Sequence, residues 1–231
     1  MSKLTPEEIE AHINACEDMY HAAGHGRAEK LRDALDRGAN VNFIRSDQGI
    51  VMVALSRRSL ECVEMLLEAG ADPSQSNRMG WAPLHEASAK NYAEFIPVLV
   101  KAGADPNRAD LMGETPLAVA IREKSAEAAK LLMQLDASID AADYDGMTPA
   151  MWAVSSELPD VLAALVAAGA NLDLTNSDGR TALDMARESG WALGQGILEQ
   201  ARMAQKDRPQ DSEGPAAPAA VGLSSIRKIK L

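Results

Sequence analysis

The chain has 231 residues, of which 46% are apolar and only 3% aromatic, and its formal net charge is −11. That sign excludes the basic footprint that sequence-independent DNA or RNA binding requires, so no nucleic acid is expected as partner. No apolar run approaches the ~20 residues needed to cross a bilayer, so no membrane partner is expected either.

The amino-terminal stretch MSKLTPEEIEAHINACEDMY lacks the apolar core of a signal peptide, which makes the cytoplasm the expected location. The two cysteines, Cys16 and Cys62, fit a reducing compartment without a bridge. Residues 8–37 are expected to form a capping unit whose first helix is longer and more polar than those that follow. Within it His12, Cys16, His21 and His25 have spacings that could gather zinc donors on one helix face. Gly24 breaks that face before His25, and the spacings match structural zinc sites loosely, so no metal and no cofactor is expected.

From residue 80 onward the chain repeats itself. Gly80, Gly113, Gly146 and Gly179 open GWAPLHEA, GETPLAVA, GMTPAMWA and GRTALDMA at a period of 33 residues. One such unit cannot bury its own apolar face, so stacked neighbours must supply it, and the period predicts a solenoid. Thr115-Pro116 and Thr148-Pro149 place a capping hydroxyl before a proline at the first helical position. Thr181-Ala182 and Ala82-Pro83 keep half of that device. At the other end of each unit, Gly38, Gly70, Gly103 and Gly169 precede alanine after an apolar run, where a left-handed residue caps the second helix. Asp136 fills the one gap and tolerates that conformation better than most residues with a Cβ.

Three places depart from the pattern. Asp47-Gln48-Gly49-Ile50 stands where glycine and Thr-Pro belong, which leaves the helix boundary of the second unit open. Pro97 falls inside the helical run AEFIPVLVKAG, where it should remove a hydrogen bond and kink the helix; Pro159 falls near a helix start. Trp191, after Gly190, is expected to cover the end of the apolar stack. Beyond Gln205, QKDRPQDSEGPAAPAAVG combines Pro, Ala, Gly and charge without periodicity and is expected to be a flexible linker. It leads to LSSIRKIKL, whose Ile226, Arg227, Lys228, Ile229, Lys230 and Leu231 could dock as a short peptide, adding a strand to a sheet edge, lying against an acidic groove or folding back onto the chain's own acidic body, or serve only as a solvated basic end. Residues 205–231 carry +2 and the remainder −13, so a basic protein partner is expected.

The order G-x-T-P-L-x-x-A, helix, loop, second helix, then G-A-D/N-x-N/D resembles the ankyrin repeat over roughly residues 10–203. The resemblance implies an all-α solenoid of helix-turn-helix units joined by extended turns. Its repeats would span about 10–42, 47–75, 80–108, 113–141, 146–174 and 179–203, within a domain of residues 1–204. Only His85 keeps the family's histidine after the leucine, and it is expected to bond between repeats rather than act as a base. No nucleophile elbow, phosphate-binding glycine loop or His-Glu-x-x-His helix occurs, and Asp72, Asp105, Asp140 and Asp173 recur at turn positions that backbone bonding explains. No enzyme is expected.

In the family, residues flanking the repeat glycine form turn tips, and the residue before the first helix's conserved alanine faces the concave side. The resemblance therefore assigns partner contacts to Arg78, Met79, Trp81 and Glu86; to Leu111, Met112, Glu114 and Val119; and to Tyr144, Asp145, Met147 and Trp152. Apolar side chains accumulate on three adjacent tips, as at interaction sites. On this reading, replacing Trp81 and Trp152 with alanine should abolish capture and leave thermal stability nearly unchanged. The function expected is a monomeric, non-catalytic binding protein, an adaptor or an inhibitor. An immunity- or antitoxin-like inhibitor of a basic partner, a secreted effector that binds a host protein, and an enzyme or metal sensor are the alternatives.

Overall fold

The computed structural model describes residues 5–45 and 47–206, and its regular structure is helical apart from one pair of two-residue strands. Helix α1 (Pro6–Gly24) opens the chain behind Thr5, which accepts from the Glu8 amide while Glu8 accepts from the Thr5 amide, a capping box. It packs against α2 (Ala28–Asp36). Five short first helices follow: α3 (Ile50–Ser56), α5 (Pro83–Ala89), α7 (Pro116–Arg122), α9 (Pro149–Ser155) and α11 (Ala182–Glu188). Each is followed by a second helix: α4 (Leu60–Glu68), α6 (Ile96–Lys101), α8 (Ala126–Gln134), α10 (Pro159–Ala167) and α12 (Ala192–Lys206).

Seven residues are too few to hold a helix alone in water, so these first helices depend on caps and on packing. Thr115, Thr148 and Thr181 accept from the amides of Ala118, Met151 and Asp184, and Pro116 and Pro149 sit where an N–H would go unused. Ala82 has no hydroxyl to offer. There His85 reaches back instead, its Nδ1 accepting from the Ala82 amide at 3.2 Å.

First helices pack on first helices in chain order, and second helices follow the same order, with α4 and α6 meeting least. Between the two layers a single continuous core forms from Leu31, Leu55, Leu66, Leu84, Leu99, Leu117, Leu132, Leu162, Leu165 and their neighbours. The loop joining each first helix to its second turns through a left-handed residue, Arg58, Asn91, Lys124 or Glu157, with Gly26 and Gly190 at the two end units. The following amide then bonds back across the turn, as Ser125 N–H does to Ala120 O at 2.7 Å. Asp136 is left-handed as expected, at φ 60°.

Two expectations change. Pro97 does not interrupt a helix: residues 93–95 form a turn, α6 begins at Ile96, and Pro97 lies in its first turn. The helix shortens at its start rather than bending, because the first turn is where a proline costs nothing. In the second unit, β1 (Ile44–Arg45) and β2 (Gln48–Gly49) pair antiparallel around left-handed Asp47, and α3 starts directly at Ile50 with no side-chain cap. The hairpin survives there without its signature. At the far end Trp191 is half-buried against the core, and its ring lies where any Cβ on Gly194 would fall.

Candidate binding surface

One Asn or Asp builds each hairpin tip. Asp110 Oδ1 accepts from the amides of Met112 (2.8 Å) and Glu114 (3.0 Å), while the Asp110 amide donates to Glu114 O at 3.0 Å. Asn77, Asp143 and Asn176 repeat the arrangement, so the four tips share one rigid frame. These residues were not singled out in the sequence. Their signal is there all the same: an Asn or Asp three residues before each repeat glycine.

The tips are tied to one another by backbone. Leu111 N–H donates to Met79 O (3.0 Å), Tyr144 N–H to Met112 O (3.1 Å) and Ser177 N–H to Asp145 O (2.9 Å). The approach is close enough that a Cβ on Gly146 would lie 2.9 Å from Asn176 Cα, at a φ of 73° that disfavours side chains in any case.

On this frame Met79 (57% exposed), Leu111 (58%), Met112 (56%) and Tyr144 (76%) point outward, with Arg78 and Asp145 exposed beside them. The other large exposed apolar residues lie elsewhere: Ile9 and Ile13 on α1, Ile44 at the first hairpin, Leu193 and Met203 on α12. The tip row is thus a contiguous apolar strip on a rigid backbone. Order of this kind limits the entropy lost when a partner binds.

Other expected contact residues are not free. Val119 is completely buried and so is not available to a partner on the concave surface, where it was expected. Glu114 is also buried, at 8% exposure, and is held by Arg122, whose Nε and Nη2 donate to its two carboxylate oxygens at 2.6 and 3.0 Å. That bidentate pairing is the main cause raising the Arg122 guanidinium above its ordinary range. Trp152 is half-buried against the core, its Nε1–H donating to Asp143 Oδ2 at 3.0 Å, which locks the ring to the same residue that frames the tip. Trp81 is half-buried beside the His85 ring, and its Nε1–H donates to Glu86 Oε2 at 3.0 Å. Met147 is partly buried against the core.

His85 Nε2 lies 3.2 Å from Glu114 O in the next repeat and donates to it. Burial pushes its imidazole below the usual range, and the carbonyl bond opposes this only in part. The side chain is therefore a neutral bridge between repeats. Around α1, His12 Nε2 approaches Cys16 Sγ at 3.9 Å, and His25 Nδ1 donates to His21 O at 2.7 Å as it caps the helix. Cys16 is buried and accepts from the Asn40 amide. Among the described residues no three His, Cys, Asp or Glu side chains gather at metal-binding geometry. The turn aspartates bond backbone as expected at Asp72, Asp105 and Asp140, the last accepting from the Asn171 amide of the next repeat, whereas Asp173 pairs with Arg202. The sequence candidates Ile226, Arg227, Lys228, Ile229, Lys230 and Leu231 lie outside the described residues.

Comparison with known proteins agrees with this geometry. The family described as ankyrin repeats matches in three overlapping copies, over residues 19–110, 51–143 and 108–176. The chain is 36% identical over 81 residues to "Ankyrin repeat, SAM and basic leucine zipper domain-containing protein 1" of Pongo abelii, and 35% identical over the same length to that of Homo sapiens. In both cases the match takes in 33% of this chain and only 17% of the relative. Among solved structures, an ankyrin repeat domain from Acinetobacter baumannii superposes with a TM-score of 0.75 at 24% identity, covering 80% of this chain and 97% of that one. The ankyrin repeat domain of Bcl-3, a member of the IkappaB protein family, gives a TM-score of 0.74 at 23% identity, with coverages of 80% and 85%.

Proposed function

Because the chain belongs to the ankyrin repeat family, whose repeats are protein–protein interaction modules, we propose that it acts as a cytoplasmic, monomeric adaptor or inhibitor that grips its protein partner along the hairpin tips. The observation that carries this reading is the strip of Met79, Leu111, Met112 and Tyr144, exposed on consecutive tips whose backbones are bonded to each other. Folding does not need those side chains. Contiguous apolar surface of this kind favours a partner that buries it, and methionine adapts to irregular contours. Arg78 at one end and Asp145 and Asp178 toward the other give the strip a polar rim that would fix register. The −13 charge of residues 1–204 favours a partner of opposite sign by speeding encounter. The family is generally a non-catalytic scaffold, and this chain's best-placed titratable side chain, His85, is spent on bridging two repeats.

Affinity capture from native lysate with the full chain, beside a Met112→Ser/Tyr144→Ser variant, tests the proposal. A partner that the native chain retains and the variant releases is the expected result. Equal retention by both would remove the tips from the contact.

A further inference from the structure

A second surface lies in the outer layer, away from the tips. Between the C-terminal halves of α4 and α6 runs a groove of about 290 Å³, floored by Leu67, Val98 and Ala102 and rimmed by Glu64, Glu68 and Lys101. It is open because the floor is small: one repeat on, Leu131 and Leu135 of α8 and its end occupy the positions of Val98 and Ala102. Glu61 stands one turn before Glu64 on the same helix, and all three glutamates are exposed. None of the ion pairs among the described residues engages them. Like charges spaced three and four apart on one helix repel each other, so the stripe destabilises α4 slightly unless a cation comes to it.

The chain carries a segment of matching chemistry. We propose that this groove is the docking site of the chain's own residues 223–231, LSSIRKIKL, in cis. Ile226 and Ile229 supply apolar side chains for the floor, and Arg227, Lys228 and Lys230 supply three cations for Glu61, Glu64 and Glu68. The distance closes. Helix α12 ends at Lys206 in the same outer layer, in which the order is α4, α6, α8, α10, α12. From α12 to the α4–α6 groove is about three and a half helix spacings, or ~35 Å at ~10 Å each. Residues 207–222 can reach about 50 Å when extended. A tether of this length holds the segment at an effective concentration on the order of 1 mM. An intrinsic Kd of about 0.1 mM then keeps it bound about nine-tenths of the time. The proposal uses a different face from the tip row, so either can fail without the other.

Limited trypsin digestion of the full chain, followed by mass spectrometry, reads the docking at Arg227 and Lys228. The free peptide of residues 221–231 gives the unprotected rate. Cleavage in the native chain should be slower by about tenfold, whatever the protein concentration, as expected for nine-tenths occupancy by a tethered segment. Glu64→Lys/Glu68→Lys should bring the rate up to that of the free peptide. The milder Glu64→Gln/Glu68→Gln, which removes charge with little change of shape, should release it about threefold, a loss near the lower end for exposed ion pairs. Cleavage of the native chain at the free-peptide rate would overturn the proposal. So would protection that survives both variants, or protection that rises with concentration and so identifies a second copy as the occupant.

Discussion

The hairpin tips and the first helices that follow them are neighbours in sequence and opposites in commitment. At the tips, Met79, Leu111, Met112 and Tyr144 extend from a frame that Asn77, Asp110 and Asp143 hold without them. A few residues on, Val119, Glu114 and Trp152 are claimed inside the fold: Val119 by complete burial, Glu114 by Arg122 and Trp152 by Asp143. The difference shows that a repeat position is available to a partner only when its neighbours leave it unclaimed. What claims it is a side chain that need not recur from repeat to repeat.

The largest expected effect lies in the committed region. Arg122→Ala leaves the Glu114 carboxylate buried without its guanidinium, and should lower unfolding free energy by about 3 kcal/mol, the low end for breaking a buried pair because Arg122 itself is partly exposed. Urea denaturation measures this, and Arg122→Met combined with Glu114→Gln should recover most of the loss. Trp152→Ala comes next, at about 2 kcal/mol, less than for a fully buried tryptophan. A thermal midpoint unchanged in that variant would return Trp152 to the list of free contact residues.

His85 gives a smaller, pH-dependent effect. Its imidazole is lowered in the folded protein, so the unfolded chain takes up a proton first, below about pH 6.5. The stability His85 contributes is complete above that pH and is lost as pH falls through the folded value. The urea midpoint should therefore drop between pH 7.5 and pH 5, and drop less in His85→Gln, whose amide can still bond to Glu114 O.

Much of the fold could be read in the residues. The spacing of Gly80, Gly113, Gly146 and Gly179 set the register, the Thr-Pro pairs set the helix starts, and Asp136 turned as its place in the series required. Pro97 was misplaced because a periodic reading assigned its repeat a second helix of ordinary length. The chain instead relaxes the residues before Ile96 into a turn, with Phe95 fully buried where Cys62, Ala128 and Val161 stand in other repeats. The contact surface was legible only in part. Registering the copies identified the tips, whose exposure follows from the turn itself. It could not foresee that Arg122, eight residues beyond Glu114, would fold back onto it, since the pair is reversed as Arg180 and Glu188 two repeats later.

The smallest stability effect belongs to the tips, and it carries the main claim. Met79, Leu111, Met112 and Tyr144 are all replaced by serine, and the variant's thermal unfolding and its affinity for the captured partner are measured beside the native chain. The account predicts unfolding within about 0.5 kcal/mol per site of native, as for surface positions away from structural features, together with loss of binding. A variant that binds as the native chain does, or that loses binding only because it unfolds, would contradict it.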